Sequence, residues 1–411
     1  MELTIQNIGR FHNAASIEVN GITVLAGING TGKSTIGKSL YCVFNSLYEY
    51  RRQIIDEKIM SLVRILRLID HGRVGASNIK KRLGGLLELA PSELTDEKIL
   101  NELWIITGSK EVEIESDLVE RVKSVLRLSD DVILNAIMKK RIVAEFDSQA
   151  GHTNYPGERS HISIKIKDKT IKLDIDEEGI VSVSDVIELS KDLVYVDDPF
   201  VIDDLSSFAA TDVYSHKTDL MKKILNRDSS RLSAVDDLIV GEKLKSLYEK
   251  IESVCGGQIE QKEDEFGYRD NKLKKRISIK NLSTGMKSFV IIKTLLSKGY
   301  LEENGIVVLD EPEAHLHPEW MILYAEIVTL LQKELGINFV ISTHSSEFIS
   351  YLELFIKQYE LGDRSKFYLL EENTDDPAVT DVKDYTGSLD KIYDVLTRPF
   401  IWASKELDSV L

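Results

Sequence analysis

Gly27-Ile28-Asn29-Gly30-Thr31-Gly32-Lys33-Ser34-Thr35 decides how this chain is read. The stretch fits G-x-x-x-x-G-K-[ST], with its fixed positions at Gly27, Gly32, Lys33 and Ser34. Its flanks suit the pattern: Thr23-Val24-Leu25-Ala26 reads as a short buried strand, and residues 36–48 carry apolar side chains at helical spacing. A glycine-rich turn between strand and helix points successive backbone N–H groups inward, where they cradle phosphate oxygens beside the positive helix N-terminus. Asn29, Gly30, Thr31, Gly32 and Thr35 belong to that cradle, Lys33 is placed to reach the β- and γ-phosphates, and the Ser34 hydroxyl to coordinate Mg²⁺.

Around this loop lies a chain of 411 residues, 43% hydrophobic and 29% charged, a balance that suits a globular protein of two or three domains. No apolar run approaches the ~18 residues that cross a bilayer, so no membrane partner is expected. Met1-Glu2-Leu3-Thr4-Ile5 enters a strand pattern at once, without a signal-peptide pattern, and only Cys42 and Cys255 are present. Both features fit a reducing cytoplasm rather than a disulfide framework. The net charge of −16 does not call for a nucleic-acid partner, although a local basic stripe would leave that option open. The nearest candidates, Lys222-Lys223 and Lys272 to Arg276, read more simply as solvated faces.

Residues 1–36 and 275–375 carry the strands and loops of the nucleotide-binding part. Between them, 37–145 reads as a helical insertion, with Ser92 an N-cap candidate after Pro91. Residues 146–210 hold a hairpin, His161 to Ile166 paired with Thr170 to Ile175, and a buried strand, Leu193 to Val196, that leads into Asp197-Asp198-Pro199. Residues 211–274 read as a second helical section without a sustained heptad register, and 376–411 as a helical tail.

Further on, Gly305-Ile306-Val307-Val308-Leu309-Asp310-Glu311 is an apolar strand that delivers two carboxylates to its tip, where α/β folds place ligand chemistry. Asp310 is suited to the Mg²⁺ shell and Glu311 to polarising the attacking water. Asn281-Leu282-Ser283-Thr284-Gly285-Met286-Lys287-Ser288, ahead of an apolar helix, resembles the signature motif of ATP-binding-cassette (ABC) ATPases in its chromosome-maintenance and repair variant. Thr284 and Met286 depart from that motif's commoner residues; Ser283 and Gly285 keep it. Pro312-Glu313-Ala314-His315-Leu316-His317-Pro318 after the acidic strand resembles the overcoming-lysogenization-defect (OLD) type within the same OLD-like and SMC/RecF-like branch. His315 and His317 are read as capping or dimer-interface residues, since two His without a third ligand make a poor zinc site.

The resemblance implies an α/β ABC-ATPase head: a P-loop NTPase with a mixed sheet flanked by helices, helical insertions and no long coiled coil. It implies ATP and Mg²⁺ as cofactors, and contact of Ser283 and the Gly285 backbone with the γ-phosphate held by a second copy. His344, at the end of the strand Phe339 to Thr343, becomes the switch histidine. A Mg²⁺-sensing glutamine is also implied; Gln149 is the candidate, with a plain surface glutamine as the alternative.

Such a head is expected to hydrolyse ATP and to form an ATP-dependent homodimer, or a higher oligomer, that works as a nucleotide-gated switch. Three readings of the switch differ. An OLD-like ATPase of bacterial anti-phage defence would control an effector, a nuclease or toxin. The 67 residues after His344 are fewer than the ~100 of an added domain, so that effector is expected to be a separate protein. A RecF-like repair ATPase would bind DNA as an ATP dimer. A transporter ATPase subunit fits less well, given the early helical insertion and the variant signature, and an ATP-binding scaffold would not hydrolyse at all.

Overall fold

The strand before the phosphate loop, β3 (Ile22–Ala26), is buried at all five positions. Its lack of polar alternation is what a parallel strand covered on both faces requires. In the computed structural model it lies inside a six-stranded sheet of order β14-β13-β3-β12-β11-β7. The neighbours are β7 (Leu193–Val196), β11 (Ile306–Asp310), β12 (Asn338–Thr343), β13 (Ser365–Glu372) and β14 (Thr380–Asp384). All adjacent pairs run parallel except β13 with β14. The C-terminal ends of β3, β12, β11 and β7 therefore meet at one rim, and they carry the phosphate loop, His344, Asp310-Glu311 and Asp197.

The structure describes residues 1–69, 82, 84–87, 95–107, 116–176, 179, 181–207, 214–225, 244–262, 265–270 and 272–410. Ser92, expected as an N-cap, lies outside the described residues. The described helices are α1 (Lys33–Leu47), α2 (Tyr50–Ile69), α3 (Asp96–Thr107), α4 (Ser116–Arg127), α5 (Asp130–Phe146), α6 (His216–Leu225), α7 (Lys245–Val254), α8 (Thr284–Ser297), α9 (Pro318–Leu335), α10 (Ser346–Gln358) and α11 (Asp390–Val410). The longest has 21 residues.

Two compact units emerge. The first comprises residues 1–45, 139–185 and 191–411. Its core joins β3, β11 and β12 to α8, α9 and α10 through side chains such as Val24, Phe289, Leu309, Tyr324, Ile341 and Phe348. It also holds a five-stranded antiparallel sheet of order β2-β1-β4-β5-β6, built from β1 (Glu2–Gln6), β2 (Ala15–Glu18), β4 (Ser160–Ile166), β5 (Lys169–Ile175) and β6 (Val181–Ser184). Strand β4 alternates buried and half-buried residues, as a strand with one core-facing side does. The second unit comprises 46–138 and 186–190. Leu62, Ile99, Leu103 and Val122 give it a hydrophobic core of its own.

Several boundaries differ from the sequence expectation. The separate helical unit begins at 46 and ends at 138, narrower than 37–145, and it recruits 186–190. Residues 211–274, expected to be helical, include the antiparallel strands β8 (Gln258–Lys262) and β9 (Glu265–Arg269), which with β10 (Ile277–Ser278) form a three-stranded sheet. The tail 376–411 is a strand before it is a helix, because Thr380 to Asp384 pair with Tyr368 to Glu372. Lys223 is not solvated: it is buried between Asp192 and Asp219.

Candidate nucleotide-binding and catalytic site

The loop from Gly27 to Gly32 turns because its glycines permit it. Gly30 and Gly32 have φ of 82° and 85°, the left-handed region where a side chain is strained. A Cβ on Gly32 would meet Phe11 Cε2 at 2.9 Å. Phe11 is thus a core residue that sets the floor of the loop. Thr31 is buried and its hydroxyl donates to the Ile28 carbonyl at 2.9 Å, whereas Asn29, Gly30 and Ser34 are exposed and Thr35 is half-buried. Arg10 braces the outside, donating to the Gly30 carbonyl at 3.1 Å and to the Pro377 carbonyl.

Lys33 is 5% exposed and folds its ammonium onto the carbonyls of Gly27 and Ile28, at 2.9 and 3.0 Å. Burial lowers its pKa, opposed by Glu311, Asp310 and Glu313. Glu311 Oε1 lies 3.7 Å from Lys33 Nζ and 3.1 Å from His344 Nδ1. One carboxylate oxygen therefore stands between the phosphate-loop lysine and the strand-end histidine. The Glu311 backbone adopts φ of 50°, and its N–H donates to the Ser342 carbonyl, which fixes the turn after β11 to the end of β12.

Asp310 is buried, and Tyr195 donates its hydroxyl to Asp310 Oδ2 at 3.0 Å. Oδ1 is buried without a partner. A desolvated carboxylate oxygen left unmatched costs free energy unless something supplies a proton or a charge. A Mg²⁺-bound water is such a partner, and Mg²⁺ commonly takes one or two carboxylates plus substrate phosphates. The phosphate loop, Ser34 and Asp310 thus fit ATP with Mg²⁺.

The sequence reading missed three groups. Glu313 is buried, accepts from the Thr343 hydroxyl at 2.5 Å and has Oε1 3.8 Å from His344 Nδ1. Burial pushes its pKa up, against the Thr343 hydrogen bond. Tyr195 lies in β7 and Asp197 directly follows it, on the strand next to that of Asp310. Gln149 is exposed in the turn after α5, and none of its described contacts reaches Asp310 or Ser34. Its neighbour Ala150 accepts from the Gly9 N–H at 2.9 Å.

His216 bridges two acids: Nδ1 is 2.6 Å from Glu145 Oε2, and Nε2 is 2.9 Å from Asp197 Oδ2. Burial opposes the charged ring, but hydrogen bonds and charge from Asp197 and Glu145 outweigh it and raise its pKa from 6.5 to about 9. The sign is that of a raised pKa: this stabilisation is complete below about pH 6.5 and is lost as pH rises through about 9. Thermal melts from pH 6 to 10 should show wild type losing stability across that window, with a flatter profile for His216→Gln. Parallel profiles would refute the assignment.

At the signature, Ser283 is exposed at the N-cap of α8 and its side chain makes no capping hydrogen bond. Gly285 lies under Trp320, where a Cβ would meet Cε3 at 2.9 Å. These residues line an open recess of about 610 Å³ with His315, His317 and Glu319. His317 caps α9, its Nδ1 accepting from the Glu319 N–H at 3.4 Å.

The family described as AAA ATPase domain matches residues 1–349. Among solved structures, the SMC head domain from Thermotoga maritima is 10% identical, with a TM-score of 0.41 over 93% of this chain and 97% of that one. The Smc head bound to the C-terminal winged-helix domain of ScpA is 14% identical, with a TM-score of 0.44 over 95% and 98%. An Smc head with an extended coiled coil, bound to the C-terminal domain of ScpA and derived from Pyrococcus furiosus, is 14% identical, with a TM-score of 0.43 over 96% and 98%. No curated protein matches the sequence. Among the described residues no helix is long and apolar enough to cross a membrane. The AAA ATPase match runs unbroken from the first strand past His344, so the chain belongs to that family and the reaction it catalyses is the hydrolysis of ATP.

Proposed function

We propose that ATP joins two copies of this chain head to head, and that hydrolysis releases them. Ser283 and the Gly285 backbone of one copy would face the γ-phosphate held by Lys33 of the other. The observation that carries this is the exposed, uncapped Ser283 at the start of α8, bordering an open recess. Among the described residues no hydrogen bond joins it to the phosphate loop, and the ammonium of Lys33 is directed to Gly27, Ile28 and Glu311. Backbone N–H groups at a helix start are ready donors to a phosphate brought by another molecule.

The pairing is a switch that controls a separate effector, as in OLD-type anti-phage defence. The helical unit of 46–138 and 186–190 is the surface offered to that effector, because it has its own core and contributes none of the site residues named above.

Light scattering tests the pairing. Glu311→Gln with ATP should double the 46.5 kDa monomer mass, and adding Ser283→Arg should return it to the monomer value. An unchanged mass in Glu311→Gln with bound ATP would end the proposal. Tight ATP-dependent binding of duplex DNA would move the reading to a RecF-like repair ATPase, against which the net charge of −16 weighs.

A further inference from the structure

Beside the phosphate loop the molecule builds a second polar cluster, centred on His216. Strand β7 neighbours β11, and Val196 is the register partner of Leu309, so Asp197 and Asp310 follow each other at the ends of adjacent parallel strands. Asp197, Asp310 and Glu311 line one small cavity. Oδ1 of buried Asp310 has no partner, while Tyr195 occupies Oδ2.

His216 contacts Asp197 directly and reaches Asp310 only through Tyr195. Its ring bonds Asp197 and also packs on Tyr195, with centroids 4.4 Å apart, and Tyr195 in turn holds Asp310. Glu145 alone would suffice to fix the ring, because it accepts from both the His216 backbone N–H, at 2.7 Å, and Nδ1. The second ring nitrogen is directed to a carboxylate that stays one-third exposed, at 34%, and so remains open to a ligand. A purely structural link would have no need of a partly open acid at the metal side of an ATPase.

We propose that His216 is a positioning residue for ATP hydrolysis: clamped by Glu145, it holds the Asp197 carboxylate toward the water shell of the Mg²⁺ bound at Asp310 and Ser34. Asp197 then does from β7 the work that the family resemblance assigned to Gln149. The inference rests on Asp310 serving the Mg²⁺, and the test separates the two.

The full chain is loaded with a non-hydrolysable ATP analogue, and Mn²⁺ affinity is read from the electron paramagnetic resonance of the free ion. Groups that orient a metal's surroundings typically change affinity by about 10–100-fold when removed, so Asp197→Asn should weaken Mn²⁺ by roughly tenfold. His216→Gln should weaken it by about threefold, and the double variant should be no weaker than Asp197→Asn, as expected of residues acting in series. Analogue affinity in EDTA should be unchanged throughout. Unaltered Mn²⁺ affinity in Asp197→Asn, with Asp310→Asn clearly weakened, would overturn the role of His216 and leave the Asp310 assignment intact. Unaltered affinity in Asp310→Asn would overturn both. Should His216→Gln fail to melt cooperatively, the comparison of Asp197→Asn with Asp197→Glu decides: Glu must restore at least half of the lost affinity, on a logarithmic scale, for the proposal to stand.

Discussion

Glu311→Gln should lower phosphate release by about 10²–10⁴-fold, the usual contribution of a positioned general base, while ATP binding persists. Glutamine keeps the shape and the backbone turn, whose φ of 50° disfavours bulkier or branched replacements, but it cannot take up a proton. Glu311 is singled out by its surroundings. One of its oxygens lies within 4 Å of both Lys33 Nζ and His344 Nδ1, at 3.7 and 3.1 Å, and its side chain is 33% exposed, open to a water. The rival is Glu313, whose Oε1 lies 3.8 Å from the same histidine nitrogen, yet it is buried and already bonded to Thr343. Phosphate release from Glu313→Gln should therefore fall far less than from Glu311→Gln. A larger loss in Glu313→Gln would exchange the roles of the two residues, and equal small losses would place the base elsewhere.

Legibility followed sequence distance. The phosphate loop could be read because strand, turn and helix start lie within about a dozen consecutive residues, and each requirement is local. The same holds for Asp310 and Glu311 at the end of a five-residue apolar strand. The His216 cluster was hidden because its contacts are remote: Glu145 lies 71 residues away, Asp197 lies 19 away, and Tyr195 meets Asp310 across 115. The acidic end Asp197-Asp198 was visible, but only the pairing of β7 with β11 gives it a chemical neighbour. Strand β8 escaped notice because Gln258 to Lys262 is almost wholly polar and offers no alternation to read. Strand β13 pairs on both sides, with β3 and β14. Lys222-Lys223 illustrates a different failure. Successive helical residues point about 100° apart, so two adjacent lysines need not share a face, and here the second enters the core.

Lys223→Met should be the most destabilising substitution in the nucleotide-binding unit outside the site itself. Its side chain is 4% exposed, and its ammonium bridges Asp192, at 2.9 Å, and Asp219 one helical turn back. Burial opposes the charge, but the two carboxylates outweigh it and raise the pKa. Removing the cation takes the balancing charge from two acids in or near the core, and breaking a buried pair in this way typically costs about 3–5 kcal/mol. At roughly 2–4 °C per kcal/mol for a domain of this order, the melting temperature should fall by about 10 °C. The loss should reach the site, because α6 is anchored to β7 at two places. Lys223 meets Asp192 just before the strand begins, and His216 meets Asp197 just after it ends. Loosening the first anchor should weaken the second, so ATPase activity in Lys223→Met should decline at temperatures below the melting transition. The triple variant Lys223→Met, Asp192→Asn and Asp219→Asn provides the deciding comparison, since replacing a whole buried ionic group is often close to neutral. Recovery of most of the lost melting temperature would identify the unbalanced charges as the cause; no recovery would mean that Lys223 acts through the packing of its stem instead.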